Sequence, residues 1–261
     1  MRRLIHSADD LRDLAESGSV PLEVLERDLL LVTIAGKLAE GFPGDLCFKG
    51  GFVMRHVHGQ QRMSKDVDAT RIVQPKHKLD STQVAKVITS SARDLYTVRV
   101  SAPATDSGTS LDFDRVNYQG PCGGKGQVAV ELSYREDIVL QPDLARIGPP
   151  FYEEFDIPVL QPLEIIAEKL RAIAQRLRPT DLSDVAYLLL ERKIEPDRDV
   201  MRRLVGEKFR LVGGNHLERV RHNIERLERE YEASVRAVAP DAAEYGAAAD
   251  AVLRHLDGWF A

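Results

Sequence analysis

Asp66 and Asp68 stand one residue apart in the stretch Arg62-Met63-Ser64-Lys65-Asp66-Val67-Asp68. On a strand, alternate side chains share a face, so both carboxylates point one way while Val67 turns to the core. Two carboxylates side by side repel each other unless a cation lies between them. Oxygen-only ligands of this kind suit magnesium, which keeps several waters and completes its shell with substrate phosphates. Paired ions can clamp the attacking and leaving oxygens of an in-line displacement. Upstream, Lys49-Gly50-Gly51 lets backbone amides come close to a triphosphate, and a following helix would add its positive end.

These residues need elements to hold them, and the chain divides into three zones by texture. Over residues 21–40 the apolar positions Leu22, Leu25, Leu29, Val32 and Leu38 recur at helical spacing, and the Gly41-Phe42-Pro43-Gly44-Asp45 run ends that helix. Residues 46–140 read as mixed strands and helices. Short strands are expected at 46–48, 66–73 and 96–100, with a helix over 81–94. Residues 110–118 and 127–134 resemble a hairpin around a Gly-rich segment. From 162 to 261 the pattern is helical. Leu163, Ile166, Leu170, Ile173 and Leu177 form one stripe, Pro179 ends that helix, and Thr180 fits the N-cap of the next. Later helices are expected from about 217 and about 241. The predicted fold class is α/β (α+β), a small mixed-sheet domain followed by a C-terminal helical bundle. The expected division is 1–160 for the leading helix and sheet, and 161–261 for helices that complete an active-site cleft.

The order strand, Gly-Gly, helix, then Ser-x-Asp-x-Asp opening the next strand resembles the polymerase-beta-like nucleotidyltransferases. Arg62-x-Ser64-x-Asp66-x-Asp68 after Lys49-Gly50-Gly51 is similar to the first motif of the AbiEii-type toxin nucleotidyltransferases. A second match is Ala167-Glu168-Lys169-Leu170-Arg171-Ala172, followed by Arg178-Pro179-Thr180-Asp181-Leu182-Ser183-Asp184. That resemblance implies magnesium held by Asp66, Asp68 and a third carboxylate, Glu131, in Val130-Glu131-Leu132. Asp112 and Asp114 on the preceding strand form a rival pair for the third position. It also implies phosphate contacts from Lys49, Gly50, Gly51 and Ser64, with Lys169 neutralising charge on the triphosphate. Asp181 would grip the nucleotide or position Lys169, against a plain helix-capping role, and Asp184 is its companion. Along the helix, Lys169 lies on the flank of the apolar stripe, while Glu168 and Arg171 point away.

The activity so implied is transfer of a nucleoside monophosphate from an NTP, with the 3′ end of tRNA as acceptor and a cognate antitoxin protein as partner. Two other readings stay open: nucleotidylation of a protein hydroxyl, and a catalytically silent binding protein of the same fold. A kinase is disfavoured, because neither a Gly-rich nucleotide loop nor a His-Arg-Asp loop is present.

Composition sets limits on the rest. With 261 residues, 43% hydrophobic and 30% charged, the chain can bury a sizeable core. No apolar run approaches the roughly 20 residues that cross a bilayer. The N-terminus lacks the apolar stretch of a secretory signal, and Cys47 and Cys122 make no disulfide framework, so a reducing cytoplasm is expected. A net charge of −5 argues against indiscriminate nucleic-acid coating. Basic residues recur between Arg202 and Arg229, either as a phosphate-tracking surface or as a salt-bridged helix. Gly123-Gly124-Lys125-Gly126 lacks the Gly-Lys-Ser/Thr ending of a phosphate loop, and a metal site at His56 and His58 is disfavoured by their i, i+2 spacing.

Overall fold

A computed structural model of the chain describes residues 7–18, 20–72, 78–91, 95–101, 104–148, 154–214 and 216–261. Two compact units result: Met1–Val57 with Met63–Asp137 and Pro142–Val159, and His58–Arg62 with Ile138–Gln141 and Leu160–Ala261.

The first unit opens with α1 (Ala8–Gly18) and the long α2 (Leu22–Gly41). In α2 a continuous run from Leu29 to Ala35 is buried, so this helix is enclosed on most sides. Then come β1 (Leu46–Lys49), α3 (Gly50–His56), β2 (Asp66–Arg71), α4 (Ser81–Ser90), β3 (Thr97–Val100), β4 (Thr105–Asp106), β5 (Ser110–Gln119), β6 (Lys125–Ser133), β7 (Asp143–Ile147) and β8 (Phe155–Val159). One mixed sheet runs β3-β5-β6-β2-β1-β8-β7, with β4 on β5. β2 runs parallel to β6, and β1 parallel to β8. β5 and β6 form the expected hairpin, antiparallel, with a bulge between Phe113 and Val116.

Register sorts the two faces of this sheet. Phe48, Ala69, Leu132 and Leu111 are cross-strand neighbours on four consecutive strands, and all four are buried. The adjacent row, one residue along each strand, must point the opposite way. That row is Lys49, Asp68, Glu131 and Asp112.

The second unit holds α5 (Pro162–Gln175), α6 (Pro179–Leu190), α7 (Arg198–Arg210), α8 (Leu217–Arg236) and α9 (Tyr245–Phe260). Its core is built from the expected stripe of α5 (Ile166, Leu170, Ile173) with Leu182, Val185, Leu204, Ile224, Val252 and Trp259. Several expectations need correction here. Pro179 does not end α5, which stops at Gln175; it is the first residue of α6, where its missing N–H costs nothing. The N-cap is Arg178 rather than Thr180, and no side chain caps this end. Glu168 does not point away: α7 packs beside it and Lys208 Nζ lies 3.3 Å from its carboxylate. The strand expected over 96–100 begins at Thr97, and the helix expected over 81–94 ends at Ser90. Residues 92–94 and 73, which closed two of the expected elements, lie outside the described residues, as do residues 1–6.

Candidate active site

β2 begins at Asp66, so Asp66 and Asp68 share one face, while Val67 between them is fully buried. The hydroxyl of Ser64 donates to the Asp66 carbonyl at 3.1 Å and accepts from the Asp66 N–H at 3.4 Å. Ser64 is itself buried, and in this structure it shapes the entry to β2. Asp68 is the cross-strand partner of Lys49 on one side and of Glu131 on the other, and Glu131 in turn faces Asp112. Directly opposed residues have their Cβ atoms about 5 Å apart. Four charged side chains therefore lie in one line across β1, β2, β6 and β5, with Asp66 next to the line on the same face.

Gly50 closes this site from the side. Its φ of +71° is in the left-handed region, and a Cβ placed there would stand 2.1 Å from Asp68 Oδ2. A side chain at this position would collide with the Asp68 carboxylate and be strained by the backbone as well. Lys49, just before it, is buried and donates to Glu136 Oε2 at 3.1 Å; the Ser133 hydroxyl donates to the same oxygen.

Crowding of acids shows in Glu131. Desolvation of its carboxyl and then the Asp68 carboxylate push it up to about 7, with Asp112 and Glu136 adding to the rise and Lys49 opposing it. Glu131 is nonetheless an exposed residue, so a cation has access to it. An oxygen-only donor set with several carboxylates on one face suits a hard divalent cation. Among the described residues no three His, Cys, Asp or Glu side chains are grouped closely enough to hold a metal ion as they stand. Asp66, Asp68 and Glu131 share one face and offer oxygen donors only, but they are not drawn together into a metal-binding group.

The helical unit carries a second charged group. Lys169 Nζ donates to Asp181 Oδ1 at 2.8 Å and lies 2.7 Å from Asp184 Oδ2. Arg176 pairs with Asp181 at 2.9 Å, and Arg62 pairs with Asp184. Both aspartates are buried. Burial disfavours the charge on Lys169, but Asp184 and Asp181 outweigh it and raise its pKa. Burial likewise opposes ionisation of Asp181, yet Lys169 and Arg176 hold it well below the usual carboxylate range. Asp181 is committed to these two cations, and the N–H groups at the start of α6 receive no side-chain cap from it. Three cations around two carboxylates leave the group with one net positive charge.

Some site residues gave no sign in the sequence. Glu136 meets Lys49 only because β6 returns beside β2, 87 positions from the lysine. Arg62 stands in the first motif, but its partner Asp184 is 122 positions away. The Gly-rich segment has its own explanation. Cβ atoms at Gly120 and Gly124 would stand 2.3 and 2.0 Å from the carboxylate of Glu26, which accepts from the Cys122 N–H at 2.6 Å. The loop wraps a buried carboxylate, so its glycines serve the hairpin and α2. Part of the basic run is consumed in internal pairs, while Arg203, Arg219, Arg226 and Arg229 are exposed. Lys208 bonds Glu164 at 2.5 Å, Arg202 donates to the carbonyls of Trp259 and Ala261, and Arg221 pairs with Asp257. His56 lies 3.2 Å from Asp28, while His58 lies beyond the end of α3.

A mixed sheet thus presents paired aspartates and a neighbouring acid beside a Gly-Gly turn. Solved structures agree on the fold. A candidate nucleotidyltransferase from Helicobacter pylori superposes with a TM-score of 0.62 at 16% identity, covering 91% of this chain and 94% of that one. JHP933 from Helicobacter pylori gives 0.60 at 17% identity, covering 90% and 94%. MenT4, a nucleotidyltransferase toxin from Mycobacterium tuberculosis, gives 0.51 at 17% identity, covering 75% and 68%. No curated protein matches the chain significantly. The sequence profile of the nucleotidyl transferase AbiEii toxins of type IV toxin–antitoxin systems matches residues 37–257, and the chain belongs to that family. It is therefore a transferase of the toxin class, for which an NTP substrate and an antitoxin partner follow from the family. Among the described residues no helix is long and apolar enough to cross a membrane.

Proposed function

We propose that this chain transfers a nucleoside monophosphate from an NTP to the 3′ end of tRNA, using magnesium at Asp66, Asp68 and Glu131. The observation that carries this reading is the line Lys49–Asp68–Glu131–Asp112 across four strands, with Asp66 on the same face. Asp66, Asp68 and Glu131 would hold the ion, which when bound supplies charge neutralisation for the triphosphate. Ser64 fixes the backbone from which Asp66 projects, and Gly50 leaves room for Asp68. Glu136 holds the Lys49 ammonium beside the acids, where it can meet a phosphate oxygen. The acceptor hydroxyl gives up its proton to solvent, its oxygen bonds to the α-phosphorus, the bond from that phosphorus to the β-phosphate oxygen breaks, and pyrophosphate leaves. Lys169, kept charged by Asp181 and Asp184 within the helical unit, is given a role at the triphosphate by the resemblance of the second motif. The choice of tRNA over a protein hydroxyl rests on the family resemblance of the two motifs.

The test is incubation with bulk tRNA, magnesium and each α-labelled NTP in turn, beside the Asp66→Ala variant. Label in tRNA that vanishes with the variant is the expected result. Label in a protein band would move the acceptor to a protein hydroxyl, and no label in any fraction of a cell extract would remove the enzymatic reading.

A further inference from the structure

The face of the sheet that carries the acids continues past them. Along β6, Lys125, Gln127 and Glu131 are exposed and separated by even numbers of residues, so all three point one way. Register carries this face onto the neighbouring strands. Gln127 is the cross-strand partner of Asn117 on β5, and Asn117 of Arg99 on β3, the last strand of the sheet. Val128 and Val116, one position along, are buried on the other side. From Glu131, Gln127 stands roughly 13 Å and Lys125 roughly 20 Å along the strand.

Charge at this end is of one sign. β3 and residues 116–119 and 125–130 contain no Asp or Glu, and Asp114 and Arg115 in the bulge are both exposed and cancel. Arg99 and Lys125 are exposed, and neither is paired with a carboxylate among the described residues. A polar row joins the strands between them. Gln127 Nε2 donates to Asn117 Oδ1 at 2.7 Å, and Asn117 Nδ2 donates to the Ser101 hydroxyl, whose own O–H is left to donate to a ligand beside Arg99. Past this row, Arg99 borders an open groove of about 1010 Å³ between α4 and β3. Lys86 is its other cation, Ser101 and four serine and threonine residues of α4 line it, and no Asp or Glu does. Arginine and lysine with amide and hydroxyl side chains are the groups that hold a nucleic-acid backbone by its phosphates. Cations spread over such a distance match a polymer with a charge at every nucleotide better than a single NTP.

We propose that the RNA strand leading to the acceptor end lies across this face, with its phosphates on Lys125, Arg99 and Lys86 and its terminal hydroxyl at the acids. The choice of RNA over an acidic protein segment rests on the transfer to tRNA proposed above. The track itself rests on the continuity of the exposed face with the acid row and on its charge.

The experiment measures binding of bulk tRNA to the full chain by fluorescence anisotropy, in EDTA and over a range of salt. Every sample carries Asp66→Ala, so that no transfer occurs. One variant adds Lys86→Ala, Arg99→Ala and Lys125→Ala. A second adds Arg12→Ala, Lys37→Ala and Arg146→Ala, which removes the same charge from side chains already paired with carboxylates. The first is expected to bind tRNA about tenfold or more weakly, with a salt slope shallower by about two, and the second to stay within about twofold of the parent. Without the Asp66 change, the first set should raise KM for tRNA and leave KM for NTP where it was. Unchanged tRNA binding in the first variant would overturn the inference and leave transfer to tRNA standing. An equal loss in the second would reduce the effect to bulk charge and overturn it too. No tRNA binding by the parent chain would remove the inference together with the tRNA reading. Polyglutamate that displaces tRNA as well as polyuridylate does would overturn the choice of RNA.

Discussion

At the scale of single residues, the site depends on contacts measured in tenths of an ångström. Gly50 is the clearest case, because two separate costs fall on any replacement. Alanine there would be strained at a φ of +71° and would drive its Cβ against Asp68 Oδ2. Gly44 has a similar φ of +73° with nothing within 4 Å of a would-be Cβ, so it carries the strain without the collision. Both alanine variants should lose about 1–2 kcal/mol of stability from the left-handed backbone. Only Gly50→Ala should lower kcat, by about a hundredfold or more, because it moves a carboxylate that the reaction needs. Steady-state kinetics and urea melts of the pair would show this; equal activity in the two variants would contradict it. The aspartates and Gly-Gly were legible in the sequence because their spacing maps onto strand period and turn chemistry. Glu136 was not, since nothing near it in the chain announces a lysine 87 positions away.

At the scale of elements, the stripes that predicted α2, α5 and the β5–β6 hairpin are the ones with long, clean periodicity. β7 and β8 gave no comparable signal. They are five residues each, β8 contains Pro158, and β7 is an edge strand with Leu144 exposed. The α5–α6 boundary shows a different difficulty. Pro179 reads equally as a stop for one helix and a start for the next, and the structure uses it as a start. Glu164 shows what α5 does beyond its apolar stripe. It is fully buried, accepts from the N–H groups of Val139 and Leu140 at 2.9 Å each, and pairs with the equally buried Lys208. One carboxylate thus fastens the Ile138–Gln141 segment and α7 to α5. Glu164→Ala would leave two amides unpaired and take from the buried Lys208 ammonium one of its carboxylates, and should cost about 3–5 kcal/mol in chemical denaturation. Glu164→Gln, which keeps an acceptor oxygen, should cost clearly less. A loss below about 1 kcal/mol in the alanine variant would show that the segment does not depend on this contact.

At the scale of the whole molecule, fold survives where identity does not. The Helicobacter pylori structures share 16% and 17% identity with this chain yet align over some nine-tenths of its length. What persists at that distance is the fold. Lys208, Arg202 and Arg221 are paired within the unit, whereas Arg203, Arg219, Arg226 and Arg229 of the same run are exposed, so part of it stays open basic surface despite the net charge of −5. The proposed RNA acceptor would be met by local basic residues of this kind rather than by bulk charge.

The central claim is that Asp66, Asp68 and Glu131 form the reaction centre, with Asp112 completing the row as a neighbour. The most direct test is pyrophosphate release from NTP in the presence of magnesium and bulk tRNA, measured side by side for wild type, Asp66→Ala, Glu131→Gln and Asp112→Asn. The account predicts losses of about a thousandfold or more for Asp66→Ala and Glu131→Gln, the range seen when a principal electrostatic group is removed, with Asp112→Asn within about tenfold of wild type. An inactive Asp112→Asn beside an active Glu131→Gln, or an active Asp66→Ala, would contradict it.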